Sequence, residues 1–165
     1  MNPIRLSLIP AAILFMGINF AQAQAPSQPI IGESALNPTA FANTTYGAGV
    51  IDGAAHLLTN RQGTETKVVV HVEGLIPGTT HVGHIHRGDC TALIPGEIIH
   101  SLVPLVADAT GTATSKTIFN DSMAGLRNCE WWVAVHEGAT DTTPQSPAIA
   151  VGPVLIKGKN QESAD

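Results

Sequence analysis

The run Lys67-Val68-Val69-Val70-His71-Val72 constrains the fold most, because β-branched side chains at this density favour a pleated strand over a helix. Successive side chains in a strand leave on opposite faces. Val68, Val70 and Val72 are therefore expected to face a core, while Lys67, Val69 and His71 face out. Asn60 to Gly63 reads as a turn, and Gly47 to Leu58 before it as the partner run, which together make a hairpin signal. Gly74-Leu75-Ile76-Pro77-Gly78 is a second turn. Further strands are expected at Thr80 to His86, Ile98 to Leu105, Thr112 to Phe119, Glu130 to His136 and Ala148 to Ile156. The connections carry Gly and Pro, and no amphipathic helix of useful length interrupts the series. The expected class is all-β: an antiparallel Greek-key sandwich or barrel, immunoglobulin-like in outline.

Ahead of this domain, Arg5, an apolar run from Leu6 to Phe20 and the small-residue pattern Ala21-Gln22-Ala23 form a secretory signal pattern over residues 1–23. The run contains Pro10 and falls short of the roughly 20 residues that a membrane span needs. Cleavage before Gln24 is expected, with a periplasmic or secreted product that keeps no membrane anchor. Residues 24–43 hold Pro26, Pro29 and Pro38 without a clear period and are expected to be a flexible leader. The domain is placed at 44–158 and a tail at 159–165. Without the signal, seven Lys and Arg stand against thirteen Asp and Glu, a formal charge of −6, which argues against nucleic acid as a partner. Cys90 and Cys129 are the two cysteines, and an even pair in an exported chain reads first as a disulfide, with free thiols or metal ligands as the other readings. Closing a loop of about 40 residues contributes roughly 3 to 4 kcal/mol in chain-entropy models.

His84 and His86 stand at i and i+2 in one expected strand, so both imidazoles leave the same face and can share a metal. His81 is an odd number of residues away and points to the other face, which makes it a structural histidine. A third ligand has to come from elsewhere, and His136 ends the run Trp131-Trp132-Val133-Ala134-Val135. An HxH pair alone is weak evidence, since strand histidines are common without a ligand. Of the adjacent tryptophans, one is expected in the core and the other partly exposed.

The series Gly47-Ala48-Gly49-Val50, Gly74-Leu75-Ile76-Pro77-Gly78, His84-Ile85-His86 and Gly88-Asp89-Cys90, followed by Asp108-Ala109-Thr110-Gly111, His136-Glu137 and Ala150-Val151-Gly152, resembles the copper/zinc superoxide dismutases over Gly47 to Ile156. The resemblance implies a superoxide dismutase-like fold, copper held by His84, His86 and His136, and His81 as the structural histidine. It also marks the departures. Between His86 and Asp108 the family carries a bridging histidine and a zinc cluster, whereas this chain offers His100 alone, so zinc is not expected. His100 stands either as a fourth copper ligand or as an ordinary strand histidine. The loop from Gly138 to Gln145 is short, and Ser146-Pro147-Ala148 lacks the family's anion-anchoring arginine, a role for which Arg87 is the weak substitute. Three functions remain open: disproportionation of superoxide to oxygen and hydrogen peroxide, copper binding without turnover as a buffer, carrier or resistance factor, and a metal-free binding module similar to chordin-type domains. Nothing in the sequence sets the oligomeric state.

Overall fold

The computed structural model describes residues 28–89, 96–140 and 146–157. The signal pattern at 1–23, the first residues 24–27 of the expected leader, Cys90 and the tail 159–165 lie outside the described residues. The elements are β1 (Ile30–Pro38), α1 (Ala40–Thr45), β2 (Asp52–Thr59), β3 (Thr66–Glu73), β4 (Thr80–His81), β5 (Gly83–Arg87), β6 (Ile98–Ser101), β7 (Leu105–Val106), β8 (Ala113–Phe119), β9 (Trp131–His136), β10 (Ala148–Pro153) and β11 (Leu155–Ile156). The class is all-β and antiparallel, as expected. One nine-stranded sheet runs β6-β5-β9-β10-β1-β2-β3-β8 with β11 beside β1, and it curls into a nearly closed barrel. The passages from β3 to β5 and from β8 to β9 cross over other strands, as a Greek key requires.

The alternation in β3 is realised as expected: Val68, Val70 and Val72 are buried, while Lys67, Val69 and His71 are partly exposed. Those valines meet Leu57 of β2, Ile85 of β5, Val133 and Val135 of β9 and Leu36 of β1 in one core. Three expected strands are each split in two. Val82 separates β4, which pairs with β7, from β5, which pairs with β6 and β9. Pro104, which has no N–H to give a ladder, lies between β6 and β7. Val154 breaks the last run by bonding instead to the start of β9, where its carbonyl accepts from Cys129 and its N–H donates to Trp131.

Residues 30–43 are not the flexible leader expected of them. β1 pairs with β2 from Ile30 to Leu36, with β11 at Gly32 and Glu33 and with β10 at Asn37 and Pro38, so it lies inside the sheet. Its buried face is Gly32, Ser34 and Leu36, which does not read as apolar alternation. The small residues are required by crowding: a Cβ on Gly32 would lie 2.8 Å from Val154 Cγ1, and one on Gly152 of β10 only 2.0 Å from the Ala35 carbonyl oxygen. Ala42 of α1 is fully buried as well.

Candidate metal centre

β5 and β9 run antiparallel with His84 opposite Ala134 and His86 opposite Trp132. Period two then puts His84, His86, Trp132, Ala134 and His136 on one face of the pair, with Ile85, Val133 and Val135 turned to the core. Ala134 is the small residue among the imidazoles. Its single methyl leaves room for the ring of His84 to meet His136, centroid to centroid at 5.1 Å, while His84 and His86 are 5.6 Å apart and His86 and His136 6.1 Å. One nitrogen from each ring lies within 4.8 Å of the other two, and the residues are 0%, 4% and 6% exposed. The structure thus brings together His84 and His86, which spacing paired, and His136, which ends the run 131–135. They could hold a metal ion.

Backbone carbonyls orient two of these rings. His86 Nδ1 donates to the Gly96 carbonyl at 2.9 Å and His136 Nδ1 donates to the Ser146 carbonyl at 2.6 Å. Each ring is held in the Nδ1–H tautomer, which leaves a lone pair on Nε2. Both Nε2 atoms are buried and have no hydrogen-bond partner. Burial holds the pKa of His86 below its ordinary 6.5, opposed by the Gly96 bond and reinforced by the two neighbouring imidazoles, so the ring stays neutral and able to donate its lone pair. A buried nitrogen left unpaired is costly, and a metal ion could satisfy the Nε2 atoms of His86 and His136 together.

His81 lies in β4, apart from the strand of His84 and His86. It is fully buried, its Nδ1 donates to the His136 carbonyl at 2.9 Å and its Nε2 meets the Thr79 hydroxyl at 2.7 Å. It thereby ties β4 to the backbone of a cluster residue. Trp132 is buried too, against the expectation of partial exposure. Its Nε1 donates to the Asp89 carbonyl at 3.2 Å, and the ring packs so closely over Gly88 that a Cβ there would lie 2.4 Å from it.

His100 is not brought to the cluster. It pairs with Ile85 across β5 and β6, on the face opposite His84 and His86. Its ring stacks on Phe119 at 3.9 Å, and its Nε2 bonds Asp121 at 2.9 Å. Arg87 follows His86 by one residue and so turns to that same opposite face. It lines a surface cavity of about 430 Å³ with His100, Asp121 and Trp131, and none of the three clustered imidazoles lines it. Arg87 therefore does not stand in for an anion anchor at the site.

Cys129 is disulfide-bonded, and the other cysteine of the chain is Cys90. Sequence reasoning missed the carbonyls of Gly96 and Ser146, because a backbone acceptor carries no residue-type signal. It could have found Trp132 and Ala134, which share parity with His136. No family model and no curated protein matches the chain.

Proposed function

We propose that this chain is an exported copper-binding protein that holds the ion on His84, His86 and His136 without rapid turnover, as a buffer, carrier or resistance factor. The observation that carries this reading is the pair of buried, unpartnered Nε2 atoms on rings whose other nitrogens are already fixed by carbonyls. Copper is favoured over zinc because affinity for a given nitrogen site rises to Cu²⁺ and falls again at Zn²⁺, and imidazole serves both copper oxidation states. The motif order from Gly47 to Ile156, which resembles the copper/zinc superoxide dismutases, supports the same metal. The signal pattern at residues 1–23 and the disulfide at Cys129 both fit an oxidising compartment.

Bound copper supplies one-electron chemistry, so superoxide disproportionation is the competing activity. The residues argue against an efficient version of it. Arg87 lies on the other face, and the segments 90–95 and 141–145 contain no Lys or Arg. A positioned cation at an anion site contributes on the order of a hundredfold in rate.

The test is Cu(II) titration of the purified mature protein followed by EPR, with zinc competition and a superoxide-decay assay on the loaded protein. His84→Ala, His86→Ala and His136→Ala should each abolish tight binding, while His56→Ala, His71→Ala and His100→Ala leave the copper spectrum unchanged. Tight binding that survives His136→Ala would overturn the site. Loaded protein that removes superoxide near the diffusion limit would overturn the non-catalytic reading.

A further inference from the structure

We infer that α1 is a bracket that positions His136 for metal binding, with Thr39 and Tyr46 as its two grips; this rests on the metal-site reading. The ring of His136 is oriented by the Ser146 carbonyl, which lies ahead of β10, whereas the ring itself belongs to the end of β9. The β9–β10 ladder joins the two at the pair His136–Ala148 but is irregular between Ala148 and Ala150, so the bond also needs the approach to β10 to be held from outside the ladder. α1 touches both sides. At its N-terminal end, Thr39 donates its hydroxyl to the Ala148 carbonyl at 2.6 Å and its backbone N–H to the Ile149 carbonyl at 3.1 Å. The same hydroxyl accepts from the Ala42 N–H at 3.2 Å and so caps the helix. At the other end, Tyr46 is the C-cap, with its N–H on the Ala42 carbonyl at 2.8 Å, and its phenol donates to the carboxylate of Glu137, the residue after His136. Glu137 in turn donates its N–H to the Pro147 carbonyl at 3.0 Å.

The helix between these grips is a single short element whose Ala42 is fully buried, so it acts as a spacer of fixed length. One grip holds residues 148 and 149 and the other residue 137, which lie in the chain beside the two partners of the ring bond, Ser146 and His136. The hydrogen bonds of Thr39 and Tyr46 go to Ala148, Ile149, Ala42 and Glu137 and not to an imidazole of the cluster, so both are positioning residues. Outer-shell groups of this kind typically change metal affinity by about 10- to 100-fold when removed.

The test uses the full mature chain with Tyr46→Phe and Thr39→Val, and Thr44→Val as the control on the same helix. Two readouts are taken: the ring ¹⁵N shifts of His136 in metal-free protein, and the affinity and EPR parameters of bound Cu(II). Tyr46→Phe and Thr39→Val should convert His136 from a single Nδ1–H tautomer to a mixture, weaken copper binding by about 10- to 100-fold and alter the hyperfine coupling. Thr44→Val should change none of these. The bracket is overturned if Tyr46→Phe leaves both the ring shifts and the copper affinity at wild-type values, whatever it does to thermal stability. Should Thr39→Val fail to fold, Tyr46→Phe, which removes one oxygen from a partly exposed contact, decides alone. The ring shifts need no metal, so a wild type that ignores copper while Tyr46→Phe frees its His136 ring would refute the metal reading and keep the bracket.

Discussion

Ser34 Oγ and the Nε2 atoms of His86 and His136 are all buried without a hydrogen-bond partner, yet they differ in what could satisfy them. The imidazole nitrogens converge with a third ring, whereas Ser34 sits where β1 passes Gly152, with its oxygen 2.5 Å from where a Cβ on Gly152 would lie. A lone buried hydroxyl is a net cost of about 1 to 3 kcal/mol when nothing accepts or donates to it. Ser34→Ala should therefore raise stability by roughly 1 kcal/mol, read as a higher urea midpoint at unchanged slope. A loss of stability would mean that the hydroxyl has a partner. Parity within a strand was enough to pair His84 with His86, whereas His136 came from its place at the end of the run 131–135 and from the resemblance, and His81 stands apart because Val82 breaks its strand from β5. The same parity places Arg87 away from the site, although its adjacency to His86 suggested otherwise. His100 could not be placed this way, because its face depends on how β6 pairs with β5, and the bulge beside His86 is not written in either strand.

At the scale of elements, hairpins with apolar alternation are legible and crowded strands are not. β3 appears where the pattern put it because Val68, Val70 and Val72 alternate on its buried face, and β2 beside it buries Ala55, Leu57 and Thr59. β1 was hidden because close approach of β10 and β11 forces Gly and Ser onto its buried face. The turn between β7 and β8, which entered through the resemblance, is held by local chemistry. Asp108 Oδ1 accepts from the Thr110 hydroxyl at 2.6 Å, the Thr110 N–H at 2.8 Å and the Thr112 N–H at 3.0 Å. Gly111 has φ +80°, and a Cβ there would lie 2.3 Å from the Leu75 carbonyl oxygen, so the turn locks onto the loop before β4. The Thr110 hydroxyl first, then the two N–H groups, hold the Asp108 carboxyl below its ordinary 3.8. A depressed folded-state pKa means that the stabilising charge is fully present above pH 3.8 and is lost as pH falls through the lower folded value. Asp108→Ala should lower the melting temperature at pH 7, and its gap to wild type should narrow below pH 3.8. A gap that stays constant down to pH 2 would show that the charge plays no part, a measurement that thermal scans across about two pH units settle.

For the whole molecule, the decisive feature is that the sheet has two ends, β6 and β8, and no backbone ladder joins them among the described residues. Side chains close the gap instead. Ser115 and Thr117 on β8 stand opposite Val70 and Val68, so both hydroxyls point to the core side, against the usual rule that inward positions are apolar. Both find partners on one residue across the seam: Ser115 donates to the Val103 carbonyl, and the Val103 N–H donates to Thr117 Oγ1 at 2.8 Å. His100 and Asp121 clasp the same seam further along, over Phe119. The barrel therefore has one hydrogen-bonded wall, which carries the three imidazoles on β5 and β9, and one side-chain seam where local opening is cheapest. Thr117→Val removes the acceptor for the Val103 N–H while keeping the shape of the side chain. Loss of one such bond costs about 0.5 to 1.5 kcal/mol, so hydrogen exchange at Val103 should accelerate by roughly 2- to 13-fold. The copper spectrum should not move, because the imidazoles are set by β5, β9 and the carbonyls of Gly96 and Ser146 rather than by the seam. Protection at Val103 that survives Thr117→Val would mean that the edges pair by backbone after all, and a shifted copper spectrum would mean that the seam and the metal centre move together.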